Sequence, residues 1–166
     1  MKIISVNVNG IRSASKKGLT DFISRENPDI LCIQEIKATE KDFPENIQNL
    51  KNYHFLVNPA LKKGYSGVAV FSKIKPDSVN SVFGLERFDK EGRLLELKFP
   101  GFTLMNLYLP HGGRQKENPA ASSCAMRFGV RRPGSLKFQV FRFHLTGFFA
   151  CLASWGLNPC PSVCIR

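Results

Sequence analysis

The hydrophobic pattern divides this chain into short apolar runs, then alternating segments, then a stretch with no clear period. Ile30 to Ile33 (Ile-Leu-Cys-Ile) is an unbroken run behind Pro28. Such a run predicts a strand buried on both faces. Lys2 to Val8 is β-rich and runs into the turn pair Asn9-Gly10. Between these strands Leu19, Phe22 and Ile23 fall on one helical face, with Lys16, Lys17 and Arg25 elsewhere. That spacing predicts a helix over 14–26, stopped by Asn27-Pro28, and hence a β-α-β start.

Residues 38–52 are polar and predict a short helix with loops. His54 to Val57 and Gly67 to Ser72 read as strands, and Val79 to Val82 as a weaker one. Asp89 to Arg93 reads as a hairpin turn into Leu94 to Phe99, which alternates in part. Phe102 to Leu109 is the last clear strand and ends at Pro110-His111-Gly112-Gly113-Arg114. Closely spaced strands joined by turns predict a largely antiparallel sheet within an α/β fold. Past Asn118 the pattern fails. Residues 119–135 are rich in Pro, Ser, Gly and Arg, and the apolar segment from Phe138 to Leu157 is broken by Gln139, Arg142, His144 and Gly147. Its uninterrupted part, Phe148 to Ala153, is far too short to span a bilayer, so no membrane partner is expected.

Charge sharpens the break at Asn118. The 166 residues carry a net charge of +11, a balance that suits an anionic partner such as nucleic acid. All 13 acidic residues precede residue 118, with 18 Lys and Arg; residues 119–166 hold 6 Lys and Arg and no acid. Four of the five cysteines also lie in the latter segment. The start turns polar too early for a secretory signal, so the expectation is a reducing cytoplasm with free thiols (at the nucleoid in a bacterium). Cys160 and Cys164 lack a second pair at zinc spacing.

The candidate chemistry sits where the buried run breaks. Gln34, Glu35 and Lys37 follow Ile33 directly. A carboxylate and an amine at a strand end fit a site, because ligands of α/β folds collect there. Solvated loop charges would read the same way. Tyr65-Ser66 beside Lys62, Lys63 and Gly64 joins an aromatic ring to a basic loop, a pairing that can lie along a nucleic-acid backbone.

Five segments in order resolve this ambiguity: residues 5–12 (Ser-Val-Asn-Val-Asn-Gly-Ile-Arg), 29–37 (Asp-Ile-Leu-Cys-Ile-Gln-Glu-Ile-Lys), 64–69 (Gly-Tyr-Ser-Gly-Val-Ala), 91–93 (Glu-Gly-Arg) and 106–110 (Asn-Leu-Tyr-Leu-Pro). Together they resemble the exonuclease III type of abasic-site endonuclease, in the endonuclease/exonuclease/phosphatase superfamily. The resemblance covers residues 1 to about 118. It implies the N-terminal half of a four-layer α/β/β/α sandwich, DNase I-like, acting as a monomer on double-stranded DNA with abasic sites or 3′ ends. It implies Mg²⁺ (or Mn²⁺) held by Glu35, with Asn7 beside it orienting groups at the scissile phosphate. Tyr108 would approach the phosphate from its hydroxyl. Asn9, Lys37, Gly64, Tyr65 and Arg114 would meet the DNA, Asn9 standing where Asp is an alternative that carries a charge. The implied reaction is hydrolysis of a DNA phosphodiester, as AP endonuclease and 3′→5′ exonuclease.

One departure is severe. The family's second half supplies an Asp-x-Asn motif and a late Asp-His pair, and no acid follows Glu117 here. Residues 119–166 therefore read as a non-homologous tail, which a shifted reading frame would explain. An impaired, truncated nuclease is the leading expectation. A basic nucleic-acid-binding fragment without catalysis is the main alternative, and a superfamily phosphatase or other phosphodiesterase the third. A half sandwich would also leave a sheet face uncovered, predicting marginal stability.

Overall fold

The computed structural model describes residues 1–109 in full, and the backbone of residues 137–142 and 147–154. Strand β1 (Lys2–Asn7) leads through helices α1 (Ile11–Lys16) and α2 (Leu19–Glu26) into β2 (Ile30–Gln34), which lies parallel to β1. This is the β-α-β unit expected from the sequence. The single helix expected over 14–26 is instead two helices. Gly18 takes a left-handed conformation (φ +87°) between them, and a single hydrophobic face does not reveal that break.

A 3-10 turn (Glu40–Asp42) and α3 (Glu45–Gln48) precede β3 (His54–Asn58), β4 (Val68–Ser72) and β5 (Ser78–Asn80). Helix α4 (Glu86–Asp89) follows, then β6 (Leu94–Phe99) and β7 (Phe102–Leu109). Helix α4 corrects the expected plain turn at Asp89: one helical turn enters it, and Gly92 (φ +58°) completes it. Lys137–Arg142 (β8) and Gly147–Ser154 (β9) are strands where the sequence shows no clean period. One sheet has the order β3-β4-β2-β1-β8 and the other β5-β6-β7-β9. All pairings are antiparallel except β1 with β2 and β7 with β9.

Two cores explain the unbroken apolar runs. Ile4, Val6, Leu31, Ile33, Ala69 and Phe71 face the helices, against Ile11, Leu19, Ile23 and Ile36. Their strand neighbours Ile3, Ile30, Cys32, Val68 and Val70 face the second sheet, against Leu95, Leu97, Phe99, Phe102 and Leu104. A strand covered on both faces has no reason to alternate. β7 does alternate: Phe102, Leu104, Asn106 and Tyr108 are buried, while Met105, Leu107 and Leu109 are half-buried and, among the described residues, belong to neither core. The described residues thus build a helix layer on two stacked sheets, with one outer sheet face carrying apolar side chains.

The sheets are pinned by a polar cluster in this apolar setting. Fully buried Asn106 donates to the carbonyls of Ile33 (3.2 Å) and Ala69 (2.9 Å) on the opposite sheet. Its own oxygen accepts from Gln34 Nε2 at 2.7 Å, which also donates to Ser5 Oγ at 3.0 Å. A buried amide stays only where its bonds are made, so this cluster fixes how one sheet sits on the other.

Candidate active site

The site forms where β1, β2 and β7 end together. Beyond Gln34 the chain turns sharply. Glu35 (φ +54°) and Lys37 (φ +51°) are left-handed, as is Asn9 (φ +48°) across from them. Glu35, Lys37 and the neighbouring Ser66 (φ +44°) store strain there, at about 1–2 kcal/mol each, whereas asparagine takes this conformation readily. Backbone bonds on both sides hold it. Gly10 N donates to Glu35 O (2.7 Å) and Ile11 N to Ile36 O (2.9 Å); Ile36 N donates to Gly67 O (3.2 Å) and Lys37 N to Ser66 O (2.9 Å). Gly67 (φ +84°) is required, because a Cβ there would lie 2.6 Å from Ile36 Cγ1.

This turn buries the Glu35 carboxylate to 3% exposure and aims it between the strand ends. Its Oε1 accepts from the Tyr108 hydroxyl at 2.7 Å and from Asn7 Nδ2 at 3.1 Å. Its Oε2 lies 3.3 Å from Lys37 Nζ. Lys37 also donates to Asn9 Oδ1, and Asn7 Oδ1 accepts from the Asn9 backbone N–H at 3.1 Å. Burial, then the bond to Glu35 and that carboxylate's charge, push the Tyr108 phenol far above the ordinary tyrosine range. Tyr108 is therefore a neutral hydroxyl donor at any physiological pH.

Arg93 extends the network outward and carries a role that the sequence reading did not assign. It is 4% exposed and paired with Glu91. Its guanidinium lies 5.5 Å from the Tyr108 ring centroid. It donates to the Tyr108 carbonyl (3.3 Å) and the Tyr65 hydroxyl (3.4 Å). Tyr65 is part-exposed, with Lys62 Nζ 5.8 Å from its ring. Gly64 (φ +72°) beside it has open space at its Cβ position.

Asn7, Asn9, Glu35, Lys37, Tyr65 and Tyr108 are thus linked in one contiguous set, with Gly64 on its rim; Arg114 lies outside the described residues. The signal for Arg93 was the Glu91-Gly92-Arg93 segment itself, which as a local pattern reads as a charged turn.

The match of this site to one family is direct. The sequence profile described as the endonuclease/exonuclease/phosphatase family matches residues 4–159. The chain belongs to this family. Over 116 residues it is 42% identical to the DNA repair nuclease APEX1 of Danio rerio, covering 69% of this chain and 37% of that protein. It is 42% identical over 118 residues to an exodeoxyribonuclease of Bacillus subtilis, covering 70% of this chain and 46% of that one. An AP endonuclease structure from Archaeoglobus fulgidus superposes with a TM-score of 0.57 at 34% identity, over 66% of this chain and 41% of that one. The fold is therefore the DNase I-like one that the resemblance implied. The chain spans less than half the length of these relatives.

Members of this family are divalent-metal-dependent nucleases, and the donors present suit a hard cation. Glu35 offers a carboxylate and Asn7 an amide oxygen. A small octahedral ion is satisfied by one or two carboxylates plus waters and substrate phosphate. No group of three or more His, Cys, Asp or Glu that could hold a metal occurs among the described residues, so Glu35 would be the anchor of a mostly hydrated ion.

Proposed function

We propose that this chain carries the metal-and-phosphate half of a DNA repair nuclease site, of the AP endonuclease and 3′→5′ exonuclease type, hydrolysing DNA phosphodiesters. The observation that carries this reading is the Glu35 carboxylate, buried at a strand end and gripped by Tyr108 and Asn7. Its other oxygen is aimed at Lys37, whose side chain is one-third exposed. Glu35, with Asn7 alongside, would hold Mg²⁺ or Mn²⁺. Such an ion, when bound, neutralises phosphate charge and polarises the phosphorus–oxygen bond. Tyr108, kept protonated, would swing its one hydroxyl proton from Glu35 Oε1 to a phosphate oxygen as charge develops. Lys37, Asn9, Gly64, Tyr65 and Arg114 would meet the backbone of double-stranded DNA at abasic sites or 3′ ends, the protein acting as a monomer. A cytoplasmic location, at the nucleoid in a bacterium, goes with this reading.

A second reading has its own support. Besides Glu35, the carboxylate that the described residues bring to this network is Glu91, which is engaged by Arg93, and no acid follows Glu117. A basic DNA-binding polypeptide without cleavage fits that. A Mg²⁺-dependent nicking assay on an abasic duplex separates the two. Cleavage lost on Glu35→Ala supports the nuclease, whereas salt-sensitive binding without cleavage supports the binding protein. The boundary near Asn118 is likewise a proposal. Resequencing the coding DNA there and translating all frames tests it. Another frame continuing with Asp-x-Asn makes 119–166 a shifted tail; otherwise the profile match through residue 159 stands as the domain's own extent.

A further inference from the structure

The two oxygens of Glu35 are not equivalent. Oε1 is saturated by the Tyr108 hydroxyl and Asn7 Nδ2. Among the described residues Oε2 faces only Lys37, whose ammonium lies 3.3 Å away. The oxygen left for a metal is thus the one a resident cation already occupies. Lys37 is not a stray surface charge: its backbone is locked in a left-handed turn by the bond to Ser66 O at 2.9 Å. Its tether on the other side is the neutral amide of Asn9. Glu35 and Lys37 therefore cancel, and a dication arriving alone meets no net negative charge on these side chains.

The lysine side chain is one-third exposed, while the carboxylate is almost fully buried. Only the ammonium can move. An oxyanion docking at the strand ends offers it a partner at least as good as Glu35 Oε2, since charge-assisted bonds to phosphate-like oxygens are strong. Asn9 Oδ1 is a hydrogen-bond acceptor without charge and cannot compete for it.

We infer that Lys37 is an anion-released latch on Glu35: it covers Oε2 until a phosphate group draws it away, so that the divalent ion and the phosphate enter this site with positive coupling. The inference rests on the proposed role of Glu35 as metal anchor, and deepens it by naming what regulates the anchor. By reciprocity the ion must tighten oxyanion binding as much as the oxyanion tightens the ion.

Mn²⁺ binding to the full chain, read by electron paramagnetic resonance of the free ion, tests it without any cleavage. Sulfate serves as the tetrahedral oxyanion, against chloride at matched ionic strength. The expected result is binding about tenfold tighter in sulfate, within the usual range of coupled sites. Lys37→Met is expected to bind Mn²⁺ in chloride as tightly as the parent does in sulfate, and to ignore the anion. Equal affinity of the unsubstituted chain in both anions overturns the latch. So does a Lys37→Met chain that keeps the parent's affinity and anion response. Glu35→Gln separates this failure from a deeper one: if it binds Mn²⁺ like the parent, Glu35 is not the metal anchor and the functional reading fails with it. Circular dichroism of each variant establishes that it is folded, and the parent's own anion response decides the matter if a variant is not.

Discussion

Replacing Asn106 by leucine should cost stability on the scale of a large core truncation although it removes no volume, because it unpins the two sheets. Asn106 makes three hydrogen bonds across the inter-sheet core: to Ile33 O (3.2 Å), to Ala69 O (2.9 Å) and from Gln34 Nε2 (2.7 Å). Each net bond contributes about 1 kcal/mol, and a buried donor left unpaired adds about 1–3 kcal/mol. Leucine nearly conserves the volume and gains some transfer energy, which offsets part of this. The expected loss is therefore roughly 2–4 kcal/mol, a large share of a domain's total of about 5–15 kcal/mol. Gln34 retains Ser5 as a partner, but its Oε1 has no partner among the described residues, so its amide becomes the weak point. Urea denaturation followed by far-ultraviolet circular dichroism measures this. The decisive form is a double-mutant cycle with Gln34→Leu. Apolar groups on both sides should leave less unpaired than either single change, so the double variant should recover about 1–2 kcal/mol relative to the sum. A single variant within about 0.5 kcal/mol of the parent, or strictly additive changes, would refute the claim that this cluster fixes the sheets.

Three further outcomes are expected. Gly67→Ala puts a Cβ 2.6 Å from the Cγ1 of fully buried Ile36, at φ +84°. Left-handed strain plus overpacking should cost about 2–5 kcal/mol, and a denaturation midpoint matching the parent's would contradict the geometry. Arg93→Met strands Glu91 and frees both the Tyr108 carbonyl and Tyr65 hydroxyl. About 3 kcal/mol should be lost, the lower end for a broken buried pair since Glu91 keeps 22% side-chain exposure, and Arg93→Lys should not restore it for want of a guanidinium fork. A fully stable Arg93→Met chain would sink that assignment. Folded Tyr108 holds its proton above the ordinary value of 10.0. Its contribution to stability is thus complete below that pH and falls as pH rises past it, where only the unfolded chain ionises. Tyr108→Phe should flatten this alkaline decline in thermal melts, and an unchanged slope would argue against a buried phenol.

What could be read from the sequence depended on whether the signal was local. Ile30–Ile33 and Val68–Phe71 betray burial on both faces by their lack of polar residues, and the structure uses them in just that way. Glu35 and Lys37 stand out because they break off a buried run, whereas Tyr108, an ordinary alternating strand position, was singled out by the family resemblance alone. The break at Gly18 was hidden, since both helices bury residues on one continuous face. Arg93 was missed because arginine ordinarily lies at the surface, and only its long-range partners Tyr65 and Tyr108 explain its burial. The Asn106–Gln34 bond joins residues 72 apart in sequence, a distance no local pattern carries. Strands β8 and β9 pair with β1 and β7 although their sequences hold no regular alternation, so their register comes from the strands they meet.

The bond between Tyr108 and Glu35 spans 73 residues and two sheets. Closing so large a loop is entropically costly, and contacts of that range are made late in folding. During synthesis the carboxylate leaves the ribosome long before its phenol. A growing chain therefore holds an incomplete Glu35 network until the second sheet lands on the first. The assembly of the site and the docking of the sandwich become a single event, and a chain caught midway carries its positive charge without the Tyr108–Glu35 bond.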